Sequence, residues 1–344
     1  MKAWILEGQA SVEERPLKLM EVPTPDPQDD EVRVKVVACG VCRTDLHIVE
    51  GDLPLRKSPL ILGHEIVGVV DRVGGNVTRF HEGDRAGVYW LHSSCGTCKY
   101  CLSGRENYCP EVQCTGWDRD GGFAEYVTIP AAYALPLNDV QMDALEIAPL
   151  MCPGIAGYAA YKLAKLKEGS KLGLYGFGPT AYCVLKVAQV QGMEVYVGTR
   201  SRKNIEAAKR EGAHWAANAA KETMPCKLDA AILFPPAGNL VEPALSQLER
   251  GGILVMAPVS SSPITIEDYS GNLWGRDIRT LYNLKRSDAE EFFAIVDQLD
   301  LQVGTSVFSF EDLQDALVLT RQGKLPEPNA VVEIAGSAWG RMQD

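Results

Sequence analysis

The periodicity of apolar residues changes character near residue 154, and that change constrains the fold more than any other feature of this 344-residue chain. Before it, apolar and charged residues alternate. Val32, Val34 and Val36 stand against Arg33 and Lys35 within Glu31 to Ala38, and similar runs occupy Ile66 to Val73 and Gly122 to Ile129. A period of two marks half-buried strands, and Gly74-Gly75-Asn76 closes the second run with a turn signal. The N-terminus reads as a further short strand ending at Gly8. After Gly154, apolar Leu172 to Tyr175 leads through a glycine-rich turn into the helical pattern of Val184, Leu185, Val187, Ala188 and Val190. Strands are expected again at Glu194 to Gly198, Asp229 to Phe234, Ile253 to Ala257 and Ile278 to Tyr282, with helices near Ile205 to Glu211 and Leu240 to Arg250. Strands alternating with helices imply a parallel sheet covered on both faces. From Ser287 the pattern predicts a helix over Ala289 to Leu299, another over Phe310 to Arg321, and a strand over Ala330 to Ile334. At about 150 residues per domain, the length suits two domains.

Charge excludes several function classes. The chain has 34 basic and 45 acidic residues, a formal net charge of −11. Such a field repels a phosphate backbone or an anionic bilayer, so neither nucleic acid nor a membrane is the expected partner. The longest stretch without a charged side chain, Gly251 to Ile266, contains two prolines and three serines, and about 20 apolar residues are needed to span a bilayer. No basic segment followed by an apolar one opens the sequence, so a cytoplasmic location is expected.

Ten cysteines in a reducing compartment point to metal rather than disulfides. Cys95, Cys98, Cys101 and Cys109 fall within fifteen residues in a loop containing glycine and serine. Four soft thiolates suit a closed tetrahedral zinc site, which holds structure because it has no open position. Free thiols or an iron–sulfur cluster are the alternatives. Elsewhere, Cys42 and His64-Glu65 suggest a second site: a catalytic zinc takes three protein ligands and leaves one position open. Spacing alone does not select the third ligand. Nor does it separate His64 as a ligand from a hydrogen-bonded core histidine, or Cys39-Gly-Val-Cys42 from a redox pair.

Gly176-Phe177-Gly178-Pro179-Thr180-Ala181 follows an expected strand and opens an expected helix, the context a dinucleotide fingerprint requires. Ala181 occupies the place of the third glycine, and Pro179 suits a first helical turn while removing one N–H that a pyrophosphate would use. The second strand of this region ends at Thr199-Arg200-Ser201-Arg202-Lys203, with no acidic residue to bind a ribose 2′-hydroxyl. The basic residues fit either a solvated helix entrance or a 2′-phosphate site.

Gly40 to His47, Gly63-His64-Glu65, the four-cysteine loop, Gly83-Asp84-Arg85 and Ala148-Pro149-Leu150-Met151-Cys152 resemble, in order and spacing, the zinc-dependent medium-chain alcohol dehydrogenases. The resemblance covers nearly the whole chain. It implies an α/β protein with a discontinuous, β-rich GroES-like catalytic domain over residues 1–152 and 287–344, carrying a structural zinc lobe at 95–109. A Rossmann NAD(P)-binding domain with a doubly wound parallel sheet would occupy 153–286. It further implies two zinc ions per chain: a catalytic ion on Cys42, His64 and Cys152, and a structural ion on Cys95, Cys98, Cys101 and Cys109. Thr44 would bond the alcohol oxygen and His47 pass its proton to solvent, with Asp45 and Glu65 orienting His64 and modulating the metal. Arg43 would contact the cofactor pyrophosphate alongside Gly176, Gly178, Pro179 and Ala181. Thr199, Arg200 and Lys203 resemble the NADP-dependent cinnamyl-type members, so NADP is favoured over NAD. Trp90 matches a substrate-pocket position of microbial members, and Leu53 stands where those often carry tryptophan. Trp117 is expected in the core. The implied activity is reversible hydride transfer between an alcohol or aldehyde and NAD(P), in a homodimer or homotetramer. A zinc-free quinone or enoyl reductase, or a non-catalytic zinc-ribbon binding protein, would be the alternative.

Overall fold

The strand Glu31–Val41 is the spine of the first sheet: its burial alternates as far as Val36 and is continuous from there to Val41. It pairs antiparallel with Glu65–Val73, Tyr126–Pro130 and Asn329–Glu333 in a seven-stranded sheet. A three-stranded sheet joins Lys18–Glu21, Lys2–Leu6 and Leu60–Ile61. The computed structural model describes residues 1–335 and Trp339. These sheets belong to one compact unit, Met1–Cys152 with Leu284–Asp297 and Gln302–Asp344; the other unit is Pro153–Asn283 with Gln298–Leu301.

The second unit is built on six parallel strands. In spatial order they are Trp215–Ala217, Glu194–Gly198, Lys171–Tyr175, Leu228–Leu233, Leu248–Met256 and Asp277–Thr280. Taken along the chain this is the order 3-2-1-4-5-6 of a doubly wound dinucleotide-binding sheet. Alternation along each strand divides the core in two. Leu172, Leu174, Ala230, Ile232, Ile253 and Val255 pack in one cluster with Ala181, Val184, Leu185 and Ala188 of the helix Pro179–Val190. Ala231, Leu233, Leu254 and Met256 pack in another with Val241, Ala244 and Leu245 of the helix Val241–Gln247.

Several elements differ from expectation. The third predicted strand begins at Tyr126, not Gly122: the preceding glycines serve close packing, a Cβ on Gly121 lying 2.0 Å from the Gly63 carbonyl oxygen and one on Gly122 2.3 Å from the Ile66 side chain. The helix expected as far as Arg250 stops at Gln247, and Leu248 instead pairs with Leu228 to start the next strand, with a register irregularity before Ala230. Helices Arg43–Glu50 and Pro153–Ala164 and the strand Thr305–Ser309 were not expected.

Candidate active site

Antiparallel pairing brings the first two candidate ligands together. Gly40 lies opposite Glu65, so Cys42, just past the end of one strand, and His64, just before the start of the other, come to the same end of the sheet. Glycine at position 40 makes room for this pairing, since a Cβ there would sit 2.9 Å from Glu65 Cβ and 2.0 Å from its Oε2. Cys42 also caps the helix Arg43–Glu50. Asp45, at the third helical position, accepts the Cys42 N–H at 2.8 Å and the Gly63 N–H at 3.2 Å, and its Oδ1 is 3.4 Å from His64 Nδ1. One fully buried carboxylate therefore fixes both ligand-bearing turns and faces the imidazole.

Cys152 follows a short 3-10 turn, Ala148–Leu150, that packs against the strands Glu31–Val41 and Glu65–Val73. Buried Met151 packs its side-chain end against Gly87, where a Cβ would come within 2.7 Å of its Cε. The result is a cluster in which ligand atoms of Cys42, His64, Glu65 and Cys152 all lie within 4.8 Å of one another, with the two sulfurs 3.7 Å apart.

The donor set fits a divalent zinc ion. His64 is wholly buried; Nδ1 faces only the Asp45 carboxylate at 3.4 Å and Nε2 has no hydrogen-bond partner among the described residues, a costly state that a metal–nitrogen bond relieves. Sulfurs held about 2.3 Å from one tetrahedral ion stand about 3.8 Å apart, close to the observed thiol separation. The hydrogen bond between the thiols lowers the Cys42 pKa and raises that of Cys152. Burial pulls the His64 pKa down, but Asp45 and the Cys42 thiolate outweigh it and the net shift is up. Burial and the neighbouring Cys42 raise Glu65. A cation would displace these protons. Glu65 lies among the ligand atoms, and Asp45 is the carboxylate beside His64.

Thr44 and His47 both lie on the helix Arg43–Glu50, three residues apart, and Arg43 is its first residue. The Thr44 hydroxyl oxygen is 3.6 Å from Cys42 Sγ, and His47 Nδ1 is 2.7 Å from Asp52 Oδ2 at the surface. Leu53 is tied in by its N–H to the His47 carbonyl at 3.0 Å. Trp90 sets its ring edge-to-face against His64, centroids 5.1 Å apart. Trp117, expected in the core, is half-buried and stacks on Trp90 at 5.7 Å.

The four-cysteine loop closes on itself. Sulfur separations are 3.5 Å for Cys98 to Cys101, 3.5 Å for Cys95 to Cys109 and 3.9 Å for Cys95 to Cys101, again the spacing of a tetrahedral thiolate site. All four thiols are free of disulfides. Backbone N–H groups of Thr97 and Cys98 stabilise the Cys95 thiolate and hold its pKa at about 6, while burial pushes Cys109 up to about 11. Glu106 latches the lobe to the returning chain by accepting the Arg286 N–H at 3.0 Å and its Nε–H at 3.2 Å. Sequence reasoning missed this pair, since 180 residues separate the partners.

In the second unit, Gly176 adopts φ +89° at the end of the strand Lys171–Tyr175, and Gly178 and Pro179 are the N-cap and first residue of the helix Pro179–Val190. No side chain caps that helix, which leaves its first amides to an anion. Ala181 is buried. Thr199 is buried after the strand Glu194–Gly198, and Ser201 caps the helix Arg202–Arg210 through the Asn204 N–H. Arg202 pairs with Glu206 at 2.8 Å, whereas Arg200 and Lys203 form no ion pair among the described residues.

Known proteins match this arrangement. A family model described as the alcohol dehydrogenase GroES-like domain matches residues 28–139. Among curated proteins, the chain is 43% identical over 323 residues to "Probable alcohol dehydrogenase AdhA" of Mycobacterium tuberculosis, covering 92% of this chain and 93% of that protein. It is 34% identical to an alcohol dehydrogenase of Geobacillus stearothermophilus over 90% of this chain and 93% of the relative. Among solved structures, a cinnamyl alcohol dehydrogenase of Sorghum bicolor superposes with a TM-score of 0.84 at 26% identity, covering 100% of this chain and 99% of that one.

Proposed function

The chain belongs to the zinc-type medium-chain alcohol dehydrogenases, and from that premise we propose that its alcohol dehydrogenase activity is carried by a catalytic zinc on Cys42, His64 and Cys152. A second zinc on Cys95, Cys98, Cys101 and Cys109 would hold the lobe. The observation that carries this reading is the buried His64 ring, its Nδ1 facing Asp45 and its Nε2 without a hydrogen-bond partner among the described residues, beside two thiols 3.7 Å apart. When bound, zinc supplies Lewis acidity that lowers the pKa of an alcohol hydroxyl, and the nicotinamide supplies the hydride acceptor.

The chain's own residues do the rest. Asp45 holds the ligand turns and the imidazole in place. Thr44, whose hydroxyl both donates and accepts, takes the alcohol proton, and His47 delivers it to solvent from the outer part of the same helix. Glu65, among the ligand atoms, modulates the metal charge. Leu53 and Trp90 line the substrate side. The uncapped helix after Gly178 receives the cofactor pyrophosphate, with Arg43 as a further contact. Thr199, Arg200 and Lys203 favour NADP: position 199 carries no carboxylate to repel a 2′-phosphate, and two basic side chains without ion pairs among the described residues stand beside a helix N-terminus.

We assign a homodimer or homotetramer on family grounds. The edge strand Asp277–Thr280, with exposed Trp274 and Ile278, supports that assignment. Steady-state oxidation of a panel of alcohols with NAD and NADP tests the functional reading. Turnover that disappears when zinc is stripped and returns when it is restored is the expected result; turnover indifferent to zinc removal would refute it.

A further inference from the structure

A chain of stacked side chains leads away from His64 and ends on a cation. Trp90 meets His64 edge-on, Trp117 stacks on Trp90 with 24° between their planes, and the Arg56 guanidinium lies 3.5 Å from the Trp117 ring centroid. The far end is fixed from two directions. Arg56 Nη1 donates to Asp118 Oδ1 at 3.0 Å and Oδ2 at 3.2 Å, and the same Asp118 accepts the Cys114 N–H at 2.9 Å. Trp117 Nε1–H donates to the Pro54 carbonyl at 2.8 Å. Trp117 is thus held at its edge by the Pro54 carbonyl and over its ring by Trp90 and by a guanidinium that is itself paired.

The guanidinium is paired through Nη1 with a carboxylate that has only 15% of its side chain exposed, so its charge is already compensated inside the protein. It is arranged to hold a ring. The attraction between a cation and the negative face of an indole, together with the Nη1 nitrogen shared between the two Asp118 oxygens, limits the freedom that a half-buried tryptophan would otherwise keep.

We propose that Arg56 is a positioning residue for substrate selectivity: by clamping Trp117 behind Trp90 it makes the aromatic wall beside His64 a rigid plate, which favours alcohols and aldehydes whose reacting carbon is attached to a planar ring. This rests on the assignment of His64 to the catalytic zinc. A rigid plate offers offset stacking to a flat substrate without ordering the wall at the moment of binding, whereas a small alkyl alcohol gains nothing from it. Arg56 touches no reacting atom, and its effect passes through Trp117.

The test compares wild type, Arg56→Met and Arg56→Lys, using benzyl alcohol and ethanol as probes. Methionine keeps the length but loses the charge and the Asp118 pairing; lysine keeps the charge but not the planar fork. Arg56→Met should lower the ratio of kcat/KM for benzyl alcohol over ethanol by about three- to tenfold, chiefly through KM for benzyl alcohol, with Arg56→Lys between it and wild type. A second readout needs no turnover: acrylamide quenching of tryptophan fluorescence should increase in Arg56→Met as Trp117 loosens. Zinc content equal to wild type is required of each variant, and a variant that fails to fold is replaced by Asp118→Asn, which releases Arg56 from the other side. An unchanged ratio with unchanged quenching, in variants that still oxidise ethanol, overturns the proposal while leaving the zinc assignment intact; loss of turnover with a wild-type enzyme that does not depend on zinc overturns the assignment it rests on.

Discussion

Asp45→Asn tests how this site is organised. The carboxylate is fully buried, accepts two backbone N–H groups at 2.8 and 3.2 Å, and stands 3.4 Å from His64 Nδ1. Asparagine retains one acceptor oxygen and turns an NH₂ toward the second N–H. One charge-assisted bond is therefore lost, worth about 1.5 to 3 kcal/mol. Removing the negative charge beside an imidazole that binds metal costs a further 10- to 100-fold in affinity, or about 1.4 to 2.8 kcal/mol. Competition with a chromophoric chelator should show the more weakly held zinc released about 10- to 100-fold more readily, the four-cysteine zinc unchanged, and thermal unfolding shifted down. Zinc affinity within twofold of wild type together with an unchanged Tm would refute Asp45 as the organiser of the site.

Other expectations are equally specific. His92 is buried, and burial with the nearby Arg119 holds its pKa down at about 4, against about 6.5 in an unfolded chain. Its folded pKa is depressed, so stability is complete above about pH 6.5 and falls as pH drops toward 4, by about 3 kcal/mol in all; His92→Gln should flatten that limb in urea titrations, and an identical limb would exclude His92 as its source. His47→Gln should slow alcohol oxidation by about 10²-fold or more, with partial rescue by small buffers, and an unchanged pH–rate profile would remove His47 from the proton path. NADP should exceed NAD by about 10- to 100-fold in kcat/KM, and Thr199→Asp with Arg200→Ile should reverse the order; a wild-type preference for NAD would return those basic residues to a solvated helix entrance.

Patterns local in sequence were legible, and patterns that depend on tertiary approach were not. The alternation from Glu31 and the strand–glycine–helix run at 172–190 correspond to the strands Glu31–Val41 and Lys171–Tyr175 and the helix Pro179–Val190. The four cysteines of the lobe are close in the chain and so are visible as a group. That Cys42 meets His64 depends on pairing Gly40 with Glu65, and Cys152 enters from much further along the chain; spacing alone holds neither fact, and the ligand set came from family likeness. The helix Pro153–Ala164 escaped notice because Gly154, Ile155, Gly157, Ala159 and Ala160 are buried around much of its circumference, leaving no polar face to set a 3.6-residue period. Gly157, a poor helix former by propensity, is required there because a Cβ would lie 2.9 Å from the Thr180 carbonyl oxygen. Trp117 reads as core by residue type, and only the stacked Arg56 and Trp90 reveal a different setting.

Zinc stoichiometry in wild type, Cys42→Ala and Cys98→Ser, measured beside turnover and thermal stability, bears most directly on the two-site account. Wild type should carry two zinc ions per chain. Cys42→Ala should retain one, stay folded and lose turnover, whereas Cys98→Ser should lose the lobe's zinc and, with it, thermal stability, because a closed metal site contributes folding free energy. Two zinc ions and full turnover in Cys42→Ala, or full stability and zinc content in Cys98→Ser, would contradict the account.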